Sequence, residues 1–132
     1  MQINYGTVAI SDGGRESPSN LSYRITRQVE VVPLTRSDSP SIFTRNNRFY
    51  EISFSVAYVK ADHREASEFA ITLEDSLPAQ GTLELIPVGG GGVVQVIQYE
   101  NATLTGYNAV VPGSTVLASF SFVATNRLVT PP

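Results

Sequence analysis

The sequence predicts a mainly β domain, a β-sandwich or partly closed antiparallel barrel, with one flanking α-helix over about residues 62–77. Three observations predict it. Apolar and polar residues alternate from Leu21 to Val31, from Phe49 to Val59 and from Ser114 to Thr125, the period of two that buries one face of a strand. The apolar spacing changes to three and four only between Asp62 and Leu77. Between these stretches stand clusters of Gly, Pro, Asn, Asp and Ser that turn a chain.

In chain order, Ile3 to Ile10 reads as a first strand closed by the turn Ser11-Asp12-Gly13-Gly14. The second places Leu21, Tyr23, Ile25, Val29 and Val31 on one face, and Arg27 interrupts that face, which marks a sheet margin or a bulge. Pro33 is expected to stop this strand. The segment from Pro33 to Asn47 (PLTRSDSPSIFTRNN) has the Pro, Ser, Asp and Asn of a loop, yet it includes Leu34, Ile42 and Phe43, so it is too apolar for a merely solvated one. Loops of this length inside compact domains tend to be functional. Two readings stay open: an arm that packs on another copy, or a loop folded over its own core.

From Phe49 to Val59 the alternation is strongest, with Tyr50, Ile52, Phe54, Val56 and Tyr58 on one face, and a central strand is expected. Asp62 followed by Glu65 fits a capping box, and Ala66, Phe69, Ala70, Leu73 and Leu77 form the apolar stripe of a helix that Pro78 and Gly81 end. Thr82 to Val88 reads as a strand, with Pro87 arguing for a sheet edge. Gly89 to Gly92 is a hairpin tip leading into Val93 to Tyr99, and a further strand runs from about Ala102 to Tyr107. Pro112-Gly113 makes a turn before the strand carrying Val116, Ala118, Phe120, Phe122 and Ala124. One domain over residues 1–126 with a loose tail at 127–132 is expected.

At 132 residues and 42% hydrophobic, the chain has enough apolar surface for one core. It has no cysteine, which removes disulfides, thiolate metal sites and cysteine nucleophiles. The opening Met1-Gln2-Ile3-Asn4-Tyr5 lacks a leader pattern, and no stretch approaches the roughly 20 apolar residues of a membrane helix, so a soluble protein without membrane partners is expected.

The net charge of −3 is unevenly distributed. Residues 1–60 carry seven basic and five acidic side chains, and residues 61–132 carry two and seven. After Arg64 the only base is Arg127, so no basic stripe tracks a phosphate backbone and no specific nucleic-acid partner is expected.

Catalytic chemistry finds little foothold. His63 is the single histidine and falls in the first helical turn, where it is expected to be exposed and without a nucleophile elbow or buried orienting acid. One histidine and no cysteine make a zinc site improbable. Gly89 to Gly92 is followed by valines instead of the Gly-Lys-Ser/Thr of a phosphate loop. Glu74 and Asp75 are sequence neighbours, which do not face each other on a helix. The six tyrosines fall mostly at strand positions of a core or its rim, more suited to packing than to stacking on a ligand. No catalytic residue, cofactor or metal is expected.

The segment from Arg48 to Thr125, with RFYEISFSVAYVKADHREASEFAITLEDSLPAQGTLEL, a glycine-rich hairpin and STVLASFSFVAT, resembles small prophage tail proteins. The order of strands, long loop, helix and strands resembles the tail-tube family of phages and related contractile systems. That resemblance implies a non-enzymatic structural subunit that self-assembles as a ring or tube with other tail-like proteins, in the bacterial cytoplasm during assembly or in the finished particle. It implies an interface at Pro33, Leu34, Arg36, Ile42, Phe43 and Arg45, with Leu34, Ile42 and Phe43 as anchors. The acidic second half would suit a channel wall that does not retain DNA. The alternative from a different class is a small β-sandwich binding module for carbohydrate or a protein ligand.

Overall fold

The protein was analysed as a computed structural model that describes residues 1–13, 16–36, 39–87 and 95–130, with side chains described outside 27–47. Its elements are β1 (Gln2–Tyr5), β2 (Val8–Asp12), β3 (Pro18–Arg36), β4 (Ser39–Val59), α1 (His63–Ser76), β5 (Gln80–Ile86), β6 (Val96–Val110), β7 (Thr115–Ala124) and β8 (Asn126–Thr130). The strands form one antiparallel sheet in the order β2-β1-β5-β6-β7-β4-β3, and β8 pairs with β6.

The end strands β2 and β3 do not pair with each other, so the sheet is not closed. It is nonetheless curled on itself. The Tyr5 ring on β1 lies 4.8 Å from that of Phe122 on β7, and the Tyr58 hydroxyl on β4 donates to the Ile10 carbonyl on β2 at 2.5 Å. Of the two architectures expected, the partly closed barrel matches this curvature.

The alternation read from the sequence lands on the core. Tyr50, Ile52, Phe54, Val56 and Tyr58 of β4 are buried, as are Val116, Ala118, Phe120, Phe122 and Ala124 of β7, and the two strands pair from Tyr50↔Ala124 to Val59↔Thr115. Phe54, Phe120 and Phe122 stack with centroids 5.3 to 6.5 Å apart. Fully burying one such side chain contributes roughly 1.5–3 kcal/mol.

The helix forms where expected. Asp62 is its N-cap and its Oδ1 accepts from the Glu65 amide at 2.8 Å, while Glu65 Oε2 accepts from the Ala61 amide, one residue before the partner a capping box would use. Ala66 and Leu73 are buried, and Phe69 meets the Tyr58 ring at 4.7 Å, so the stripe packs against the core face. Replacing the cap, Asp62→Ala, should cost about 1 kcal/mol. A urea titration of the purified variant measures the loss as a lower midpoint at unchanged slope.

Several expectations are corrected. Ile3 to Ile10 is a hairpin of two strands, not one strand, because Gly6-Thr7 turns between Tyr5 and Val8. Gly6 has φ +60° and Thr7 has no positive φ, the signature of a type II′ turn that needs glycine first. Val93 to Tyr99 and Ala102 to Tyr107 are not separate strands. From Val96 on, both stretches belong to β6, which passes Asn101 at φ 52° beside a break in the register with β5, while residues 93–94 lie outside the described residues. The bulge absorbs the polar interruption without ending the strand. Pro87 does not mark an edge, since it lies past the end of β5, which pairs with β1 on one side and β6 on the other.

The supposed tail residues 127–130 are in β8, paired with β6 from Glu100↔Asn126 to Val96↔Thr130. Pro33 does not stop β3, and the described residues of the segment expected as a loop from Pro33 to Asn47 lie in strands, 33–36 in β3 and 39–47 in β4. The glycine run 89–92 lies outside the described residues. No helix of the described residues is long and apolar enough to cross a membrane.

Candidate assembly interface

β3 and β4 pair from Pro18↔Val56 to Arg36↔Ser39, without a break from Ser22↔Ser53 onward. The other neighbour of β4, β7, ends its pairing at Tyr50↔Ala124. Beyond that rung, residues 26–36 and 39–49 form a ribbon of two strands with no third among the described residues. At about 3.4 Å per residue, it extends roughly 35 Å past the sheet.

β8 continues the line of β7 but stays on β6, so β4 leaves it at this point. Pro33 is accommodated because β3 has a partner on one side only: half of its amides face an open edge, where proline loses no ladder bond. Arg27, read as a sheet margin or a bulge, stands opposite Arg48 in unbroken register one rung past the Phe49 rung, where three-stranded support has ended, so it marks a margin. The only register break of β3 lies between Ser19 and Ser22, beside Asn20 at φ 53°.

All six residues named as an interface fall in this ribbon. The register sets Pro33 opposite Ile42, Leu34 opposite Ser41, Arg36 opposite Ser39, Val32 opposite Phe43 and Glu30 opposite Arg45. Directly opposite residues share a face, so Pro33 and Ile42 fall on one face, and Leu34, Arg36, Phe43 and Arg45 on the other. Their side chains lie outside the described residues.

At the root of the ribbon, Tyr23 and Ile25 pair with Ile52 and Tyr50 and therefore stand on the core-side face, yet they are 44% and 55% exposed. The core face thus continues uncovered onto the edge strand. Arg127 of β8 places its guanidinium 4.8 Å from the Tyr50 ring centre beside Tyr99, capping this end of the core with a cation.

At the opposite end, the helix and the β6–β7 turn close the barrel. His63 Nδ1 donates to the Gly113 carbonyl at 2.8 Å, Lys60 Nζ sits 3.9 Å over the Phe69 ring, and the Lys60 amide donates to Ser114 O. His63 therefore ties the helix start to a turn, which is the packing role of an exposed histidine. Among the described residues no group of three His, Cys, Asp or Glu side chains is placed to hold a metal.

Four tyrosines serve the interior. Tyr5, Tyr50, Tyr58 and Tyr99 are buried, with the Tyr5 hydroxyl donating to Ala102 O at 3.1 Å. Burial raises the pKa of Tyr5, Tyr58 and Tyr99, with Glu16 and Tyr107 adding to the rise at Tyr58 and Arg127 partly opposing it at Tyr99. The unfolded chain releases these protons near pH 10 while the folded chain holds them. Stability is therefore full below pH 10 and falls as the pH rises above it. Thermal unfolding followed from pH 8 to 11.5 should show a falling midpoint, and Tyr58→Phe should flatten the decline while lowering stability at pH 7 by about 1 kcal/mol through the lost hydrogen bond.

A shallow groove of about 290 Å³ lies between α1 and β6, lined by Ala70, Ile71, Glu74, Tyr107, Asn108 and Ala109. The Tyr107 hydroxyl donates to the Ala70 carbonyl at 3.2 Å and holds the helix beside the strand. A second groove, of about 260 Å³, crosses the outer face at Glu51, Ser53, Thr105, Ser121 and Val123, where side chains are small. Sequence reasoning missed both, because each joins residues distant in sequence.

No protein-family model matches the chain, and no curated protein matches it. Among solved structures, the chain is similar in fold to the anti-feeding prophage cap, a tube-terminating cap, at a TM-score of 0.51 and 9% sequence identity, over 99% of this chain and 87% of that one. The alignment covers nearly the whole chain, the curled antiparallel sheet and its single helix included, and what it establishes is a shared fold.

Proposed function

We propose that this chain is a non-enzymatic structural subunit of a phage-tail-like particle, assembling with copies of itself into a ring or tube through the arm formed by β3 and β4. The observation that carries the reading is the overhang of residues 26–36 and 39–49 beyond the last three-stranded rung. An isolated two-stranded ribbon is marginal in water, so a long one is retained where a partner surface completes it. Among the described residues neither of its edges has a strand partner along this stretch, and free edges are templates for pairing with another chain. The fold shared with a tube-terminating cap agrees with a place in such a particle, beside other tail-like proteins.

Light scattering coupled to size exclusion, over a hundredfold range of protein concentration and joined with negative-stain imaging, tests the proposal. Closed rings or stacks that grow with concentration are expected. A strict monomer at every concentration, with the arm intact, would sink it.

A further inference from the structure

The sheet contains an acceptor as well as a donor. β5 pairs with β6 only as far as Gln80↔Thr103, whereas β7 follows β6 to Val110. Over residues 105–110 the side of β6 turned away from β7 therefore has no strand partner among the described residues. The groove lined by Ala70, Ile71 and Glu74 of α1 and Tyr107, Asn108 and Ala109 of β6 runs along this unpaired edge. Ile71 is 61% exposed on the helix wall, and Val110, 53% exposed, ends the strand.

Resting on the proposed assembly role, we infer that this groove is the seat of the arm of a second copy, which adds a strand to the free edge of β6 and covers Ile71. Four facts favour this occupant. Among the described residues the arm has unpaired edges along about ten residues of each strand, enough to span 105–110. It carries Arg27, Arg36, Arg45 and Arg48 against Glu30 and Asp38, a net +2, whereas the helix and its cap carry Asp62, Glu65, Glu68, Glu74 and Asp75 against Arg64, a net −4. Its apolar Val32, Leu34 and Phe43, which the register sets on one face, suit a wall made of Ile71 and Tyr107.

The fourth fact is direction. Groove residues 107–109 lie level with residues 54–56 of β4 through β7, while the arm leaves the sheet at Tyr50 and runs away from them. A chain cannot fill its own groove with its own arm, so donor and acceptor meet head to tail. Heterologous contacts of this kind close as a ring or propagate as a filament. Strand addition supplies the main-chain bonds, and the groove walls set which strand is accepted.

Because the chain contains no cysteine, disulfide trapping has no background. Full-length Ile71→Cys protein is mixed with Ile42→Cys or Phe43→Cys protein, which cover the two faces of the arm, and oxidised under assembly conditions. A covalent dimer is expected with at least one of them, at least tenfold above that formed with a Leu128→Cys control on β8. Ile71→Arg, a change at an exposed position, is expected to raise the concentration needed for assembly at least tenfold with an unaltered circular dichroism spectrum. Glu74→Lys should impair assembly, and Arg45→Glu in the same chain should recover part of it.

Arm-dependent assembly with trapping at Leu128→Cys instead, or unimpaired assembly of Ile71→Arg, overturns the groove while leaving the assembly role standing. A native chain that never associates overturns both.

Discussion

Excising the arm is expected to convert the protein into a folded monomer. Arg27 and Arg48 stand opposite each other, so replacing residues 28–47 with Asn-Gly closes the ribbon by a two-residue hairpin without disturbing the register below it. The core rungs from Ile25↔Tyr50 inward stay intact, and no described side chain of the core lies within the excised segment. The unfolding midpoint should move by no more than about 5 °C, the shift that accompanies roughly 1 kcal/mol in a domain of this size. Association should vanish altogether, since the arm supplies the donor edge. Light scattering on the variant measures the second effect and thermal circular dichroism the first. A variant that still assembles would assign association to another surface, and one that unfolds would make the arm part of the core.

The largest effect on stability is expected at Phe120. Its ring stacks on Phe54 at 5.3 Å, meets Tyr107 at 5.4 Å and is 1% exposed in the centre of β7. Phe120→Ala removes the buried ring and leaves a cavity, a change that costs about 3–5 kcal/mol. Lost ring–ring contact adds about 0.5–1.5 kcal/mol for each pair. Against the roughly 5–15 kcal/mol that holds a typical domain folded, that is a large share. The urea midpoint should fall by a third or more, or the variant should accumulate as insoluble protein. Phe120→Leu should lose distinctly less. Equal losses for Ala and Leu would mean that ring stacking, not volume, governs the site.

The two experiments separate parts of the molecule that were unequally legible in its residues. The alternation of Tyr50, Ile52, Phe54, Val56 and Tyr58, and of Val116 through Ala124, marked a core that is buried as read. The switch in period between Asp62 and Leu77 marked the helix, its cap and its apolar stripe. These signals are local: each rests on which side chains can share a face, and periodicity encodes that directly.

The arm was legible only in part. Leu34, Ile42 and Phe43 showed that the segment from Pro33 to Asn47 was too apolar for solvent, and the arm was one of the two readings left open. Its strands were hidden because Pro33 and Pro40, with serines and asparagines between them, look like loop chemistry. Those prolines are compatible with a strand only if one side of it is unpaired, which Pro33 owes to β3 being the last strand of the sheet and Pro40 to where β7 stops along β4. The same reasoning covers β8, whose residues Asn126–Thr130 are all exposed and have no alternation to detect. They are ordered by the edge of β6, not by a buried face.

The sequence by itself therefore determined the fold class, the two core strands, the capped helix, and the absence of any cysteine chemistry. Only the tertiary structure decided that the sheet curls without closing, that β6 is one bulged strand, and that β4 outruns its neighbour to make an arm. It also decided that β5 stops short and leaves residues 105–110 of β6 beside a groove. The physical reason is common to all of these. Side-chain pattern specifies which face of a strand is buried, whereas the length over which two strands pair, and hence where an edge is left free, is set by backbone hydrogen bonding between segments far apart in the chain.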